Sequence, residues 1–348
     1  MSFTTKINTQ NLDVKRFEKL NIKIEETKSM NVNTSTVFIV FKTIAEIILL
    51  IFISKRGNLI IYDLKDFKII SKIVFNSKII KISHFSDSHK DFIIIERYSL
   101  GKRFEVIDCS NLETLYTFII QKEIQLQSYC FFKVDQNCYF VSIEKSIYFG
   151  SFGFNKIKIF NCGNKNIKEF IQTKTKKTNN VLFYYYQKLK QKYIITSNDK
   201  DIKCYNFDKY SDAGVNDNDS LKIFDDIDSG DMFIYNVLFF ETNNYAKLIS
   251  SGLDCVIRFW DFENINLEFK ISLNDYCCFC LLDENILAYS LNTNIILFDL
   301  KNKNYMHSLK DEGEIIAINT ITHPKYGLIL LSKSQKNEIA IWIIKNNF

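Results

Sequence analysis

The side chains from which a metal site or a catalytic centre could be built are four histidines, nine cysteines and 40 carboxylates, and their spacing favours neither. His84, His89, His307 and His323 are not spaced against cysteines or carboxylates as zinc requires, and Cys277-Cys278-Phe279-Cys280 has no second ligand pair nearby. The other cysteines, at 109, 130, 138, 162, 204 and 255, fall mostly in apolar stretches where a thiol packs as a small hydrophobe. Gly150-Ser151-Phe152-Gly153 is too short for a nucleophile elbow, and the ten glycines form no phosphate-cradling loop. The acidic stretch Asp208–Ser220 lacks the ligand spacing and terminal Glu of a calcium loop, so a flexible surface loop is expected there. The sequence therefore predicts no cofactor, no metal, no small-molecule substrate and no enzyme activity.

Charge chemistry is the remaining class. Lys and Arg exceed Asp and Glu by 5, a modest surplus beside the concentrated basic surface of a dedicated nucleic-acid binder. Two local clusters, Lys174–Lys177 and Lys188, Lys190 and Lys192, are solvated loops or, alternatively, phosphate contacts. An odd number of cysteines and the absence of an export signal in the polar first 30 residues imply an intracellular, reducing location, nuclear or cytoplasmic. The apolar stretch from Val37 to Ile53 is interrupted by Lys42 and Glu46, and two buried strands account for it better than a membrane span. With 47% hydrophobic residues, 31 Phe, 18 Tyr and a single Pro, the chain suits a β-rich core and excludes collagen-like or disordered classes.

The elements that position these residues are set by a repeat. Leu248–Phe262 is a strand, a polar turn and a second strand ending in Trp260-Asp261. Weaker copies end at Ile61-Tyr62-Asp63, Val106-Ile107-Asp108, Ile159-Phe160-Asn161, Cys204-Tyr205-Asn206, Leu297-Phe298-Asp299 and Ile341-Trp342-Ile343. The seven markers lie 45, 53, 45, 55, 38 and 44 residues apart, bracketing the roughly 40–45 residues of a four-stranded blade. Asp254, Ile257, Arg258, Trp260 and Asp261 fall on positions of a known family, and the stretch resembles the WD-repeat of β-propellers; Trp342 marks the last copy. Ser251 and Gly252 stand in the reverse of the family's order.

The resemblance implies an all-β, seven-bladed β-propeller. A small sheet cannot cover both its own faces, so blades stack radially and each covers its neighbours. The last repeat holds three strands, whereas Leu20–Glu25 alternates apolar and polar with no repeat of its own. Residues 1–30 are therefore read as a leader whose strand completes the last blade, and residues 31–348 as the propeller. In the family, the turn Asp joins a network with Ser, Trp and a His from the preceding loop. The preceding loop here, Ile227–Asp231, has no His, so packing of Trp260 and nearby Phe side chains is expected to hold blade five.

The same resemblance implies a non-catalytic platform that binds other proteins within a larger assembly. By phase, Arg56, Asp199, Lys200, Asp254, Asn292 and Lys336 rim the face formed by the turns between second and third strands. Tyr148, Phe149, Phe152 and Phe154 join them if Glu144–Asn155 is a lengthened turn of that kind; if Ser146–Phe152 is instead a strand, they lie in the core. Two other readings stand beside this one. A nucleic-acid-associated subunit, in ribosome biogenesis or a chromatin-linked complex, would use Lys174–Lys177. A phosphoinositide-binding propeller would need a Phe-Arg-Arg-Gly motif, and Gly101-Lys102-Arg103-Phe104 has the wrong order.

Overall fold

Short runs of Ile, Leu, Val, Phe and Tyr separated by polar turns become strands, and every element described is one. The computed structural model describes residues 18–22 and 38–344, except 54–56, 67, 87–89, 99–101, 121–123, 135–136, 147–154, 163–166, 173–177, 209–214, 217–221, 227–231, 243–244, 312, 326 and 336–338. These residues form seven sheets, antiparallel but for one short parallel pair. The chain is a seven-bladed β-propeller.

β1 (Glu18–Ile22) stands apart in sequence from the blade it joins. Blade one is β2 (Phe38–Lys42), β3 (Ile48–Ile53), β4 (Leu59–Asp63) and β5 (Lys68–Ile73). Blade two is β6 (Ile79–Ser86), β7 (Asp91–Tyr98), β8 (Lys102–Asp108) and β9 (Thr114–Ile120). Blade three is β10 (Ile124–Val134), β11 (Asn137–Ser146), β12 (Asn155–Asn161) and β13 (Ile167–Gln172). Blade four is β14 (Thr178–Tyr186), β15 (Gln191–Asn198), β16 (Asp201–Asn206) and, after the short β17 (Val215–Asn216), β18 (Lys222–Asp225). Blade five is β19 (Ile234–Glu241), β20 (Ala246–Gly252), β21 (Val256–Asp261) and β22 (Asn266–Ser272). Blade six is β23 (Phe279–Leu281), β24 (Ile286–Leu291), β25 (Asn294–Asp299) and β26 (Asn304–Lys310). Blade seven is β27 (Ile315–His323), β28 (Gly327–Ser334) and β29 (Ile339–Ile344), completed by β1.

All seven markers lie on third strands, and their chemistry explains the recurrence. A carboxylate or amide there folds back to accept amide hydrogens from the following turn. Asp261 accepts from Glu263 and Asn264, Asp299 from Lys301 and Asn302, Asp63 from Lys65, Asp108 from Ser110, and Asn206 from Asp208. The middle strands are apolar on both faces because each is covered by a neighbouring blade: all of Ile48–Phe52 is buried. The stretch from Val37 to Ile53 thus contains two strands, β2 and β3, joined by a turn in which Glu46 takes a positive φ of 64°.

Seven apolar clusters fill the seven gaps between blades. Phe38, Leu50 and Phe52 of blade one meet Ile329, Leu331 and Ile341 of blade seven, so the ring is closed by a core of buried apolar side chains like the others. Antiparallel pairing of β1 with β29 closes it a second time, Lys19 opposite Trp342 and Leu20 opposite Ile341. The closing strand includes Leu20–Ile22 of the expected Leu20–Glu25 and begins at Glu18, while residues 23–25 lie outside the described residues. The Asp208–Ser220 insertion also departs from a simple loop: Val215 and Asn216 pair in parallel with Ile171 and Gln172, giving blade three a fifth strand. Polar side chains link the innermost strands, with Ser128 Oγ donating to Asn180 Oδ1 at 3.0 Å and Asn180 Nδ2 to the Tyr235 carbonyl at 3.2 Å.

Candidate partner-binding face

Antiparallel blades send their second-to-third turns and their blade-to-blade connectors to the same end of the ring. On blade five, this end is tied together by a buried ionic network. Arg258 and Asp226 are each almost fully buried, and Arg258 Nε donates to Asp226 Oδ2 at 2.8 Å. Its Nη2 donates to Asp254 Oδ2 at 2.5 Å, while Trp260 Nε1 donates to Ser250 Oγ at 2.9 Å. Burial pushes the Asp226 carboxyl up, but the Arg258 hydrogen bond and charge, with Lys270 further out, prevail and hold it below its ordinary value.

This network corrects the expectation that packing alone holds blade five. A carboxylate just past the outer strand of blade four stands where the family places a histidine. Blade seven repeats the arrangement: Ser332 Oγ donates to Asp311 Oδ2 at 2.8 Å and accepts from Trp342 Nε1 at 3.0 Å. Asp311 follows β26 as Asp226 follows β18. The signal was present in sequence as an Asp ahead of a Ser-x9-Trp spacing, in Ser250 to Trp260 and Ser332 to Trp342. The inverted Ser251-Gly252 order also has a local cause, since a Cβ on Gly252 would stand 1.9 Å from the Met232 carbonyl oxygen.

Of the residues assigned to the rim by phase, Asp199, Lys200, Asp254 and Asn292 are described. Asp199 and Lys200 lie in the blade-four turn, where Asn198 Oδ1 accepts the amides of Lys200 and Asp201, at 2.7 and 2.9 Å. Lys200 is exposed. The Asp199 carbonyl accepts from Met232 and Phe233, binding this turn to the entry of blade five. Asp254 is directed inward to Arg258, so its carboxylate serves the network. Asn292 is exposed at a positive φ of 54°, and its carbonyl accepts from Ile315 at 2.8 Å. Arg56, Tyr148, Phe149, Phe152, Phe154 and Lys336 lie outside the described residues.

A feature that phase alone did not reveal lies between blades five and six. Tyr235, Leu253 and Tyr276 are 40%, 54% and 40% exposed at this end. The two tyrosine rings meet edge to face at 6.3 Å, and Asn236 Nδ2 donates to the Tyr276 hydroxyl at 3.4 Å. Tyr235 is the extra residue of a bulge in β19, between Ile234 opposite Gly252 and Asn236 opposite Ser251. Bulges turn a side chain out of the regular alternation, and such a residue has no periodic signature in sequence.

The cysteines carry little nucleophilic chemistry. Burial, aided at Cys109 by the Asp91 and Asp108 carboxylates, pushes the thiols of Cys109, Cys130 and Cys277 up to about 12, so they stay protonated at neutral pH.

No family model and no curated protein matches this sequence. Among solved structures, the fold is similar to that in the crystal structure of BBS1N in complex with ARL6DN, soaked with lead. The TM-score is 0.66 at 10% sequence identity, over 94% of this chain and 97% of the other. That likeness establishes the propeller architecture.

Proposed function

We propose that this chain is a WD-repeat-type, non-catalytic scaffold that holds a partner protein, as a subunit of a larger assembly inside the cell. The observation that carries this reading is the exposed Tyr235–Leu253–Tyr276 patch at the connector end of the ring. Aromatics held against one another at the surface, with the Tyr276 hydroxyl accepting from Asn236, suit an interface anchor, because less side-chain entropy remains to be lost on binding. Lys200 and Asn292, exposed at the same end, would form a polar rim around it. The BBS1N structure contains a second protein, ARL6DN, and this agrees with protein partners for the fold. Nine free thiols, mostly held neutral by burial, are compatible with a reducing nuclear or cytoplasmic compartment.

The test is affinity purification from native extract, with mass spectrometry, of the full chain and a Tyr235→Ser/Tyr276→Ser variant. Partners recovered with the wild-type chain and lost with the variant are expected. Recovery of the wild-type chain as a free monomer, or an unchanged partner set in the variant, would refute the reading.

A further inference from the structure

Two arginines face one another across blade two without the compensation such a pair normally requires. Arg97 near the end of β7 and Arg103 near the start of β8 are direct cross-strand partners. Like charges in that relation repel. One carboxylate, Glu105, answers both: Arg97 Nη2 donates to its Oε1, and Arg103 Nε lies 2.9 Å from the same oxygen without being aimed along a hydrogen bond. Two positive charges against one negative leave a surplus of about one unit charge, held beside a cleft and not dispersed into solvent.

The cleft measures about 470 Å³ and lies between blade two and the connector from blade one. Arg97 is fixed within it, its Nη1 donating to Ser77 Oγ at 2.9 Å and its guanidinium lying 4.7 Å over the Phe75 ring. Among the described residues, the buried Nε groups of both arginines have no hydrogen-bond acceptor. A buried donor in that condition costs about 1–3 kcal/mol, so each guanidinium gains by turning an N–H toward an acceptor in the cleft. Two planar guanidinium forks side by side on the blade-two wall, a hydroxyl from the connector opposite and a net positive charge match an oxyanion with several acceptor oxygens.

We propose that this cleft is a subsite for a phosphorylated serine on a partner protein. The inference rests on the scaffold reading above and places a second contact on the same end of the ring. A phosphomonoester would take the unused N–H groups of Arg97 and Arg103, with Asn76 and Ser77 at its edge. A protein-borne phosphate is favoured over an anionic membrane because Asp199, Asp275 and Glu314 alternate round this end with Lys78 and Lys200, so it offers no continuous basic plane to a flat negative surface. Val74, 67% exposed at the lip, offers an apolar contact for a flanking residue of the peptide.

An array of degenerate peptides with a fixed phosphoserine, set against the same array with serine, tests this. The phosphorylated array should bind about tenfold more tightly or better. Arg103→Gln should abolish the preference; its side chain is 40% exposed, so the fold should survive, as a melting curve would verify. Glu105→Gln should strengthen the preference by removing the competing carboxylate, a change that a purely structural role for the cluster would not produce. Equal binding of the two arrays, a preference that survives Arg103→Gln, or Arg103-dependent binding only to vesicles containing a phosphoinositide would each overturn the proposal. Equal binding would remove the subsite while leaving the scaffold intact, whereas a lone monomer in the purification experiment would do the reverse.

Discussion

Lys333 on β28 is 5% exposed, and burial alone lowers its pKa from 10.5 to about 8. The folded protein therefore binds fewer protons than the unfolded chain between about pH 8 and 10.5, and stability rises with pH across that window. Below it both states are charged, and the folded state bears the whole cost of burying the ammonium. Lys333→Met is thus expected to stabilise the protein at pH 7, by about 3 kcal/mol at most, with the gain shrinking as pH approaches 10.5. Urea melts at pH 7 and pH 10 measure the difference. The opposite outcome is expected at Asp226, whose removal strips a buried guanidinium of one counter-charge: Asp226→Ala should cost about 3 kcal/mol. Adding Arg258→Met should recover much of that loss, because an apolar side chain then fills the site. A double mutant no more stable than Asp226→Ala alone would show that the pair is not the source of the cost.

At the scale of elements, the most informative strand is the one farthest from its partner in sequence. Removing residues 1–28 deletes β1 and bares the edge of β29, leaving Ile339–Ile344 without its outer neighbour. A lower melting temperature, by several degrees, is expected in thermal denaturation; an unchanged curve would count against strand closure. This strand could be anticipated because period-two alternation is a local property. So could the third strands, since each Asp or Asn marker caps the turn directly after it, as Asp261 does through Glu263 and Asn264. Asp226 escapes a local reading because its partner Arg258 lies 32 residues away, and only the Ser-x9-Trp spacing that follows it points to the connection. The pairing of β17 with β13 escaped for the same reason: an insertion of Asp, Asn and Ser resembles a loop, and only tertiary geometry brings Val215 beside Ile171.

Across the whole molecule, the likeness to BBS1N at 10% identity shows how little specific sequence the architecture needs. Each gap between blades requires apolar side chains of suitable volume, and many combinations satisfy that. The same tolerance explains why the fold was legible from Ile, Phe and Asp patterns whereas the site was only partly so. Rim residues such as Lys200 and Asn292 follow from phase, but the exposed tyrosines depend on a bulge and on a neighbouring connector. Closure also predicts how the ring loosens. In the chain lacking residues 1–28, amide hydrogen exchange should accelerate in blades seven and one, which share the Phe38–Ile341 core, and change least in blades three and four. Uniform acceleration round the ring would mean that the blades unfold as a single unit.

The pairing of β1 with β29 has a consequence for biosynthesis. A ribosome releases Glu18–Ile22 long before Ile339–Ile344 exists, so the earliest strand must wait for the latest. Until Ile339–Ile344 has emerged, the nascent molecule is an incomplete arc whose two outermost blades expose apolar flanks, and it would depend on chaperones through that interval.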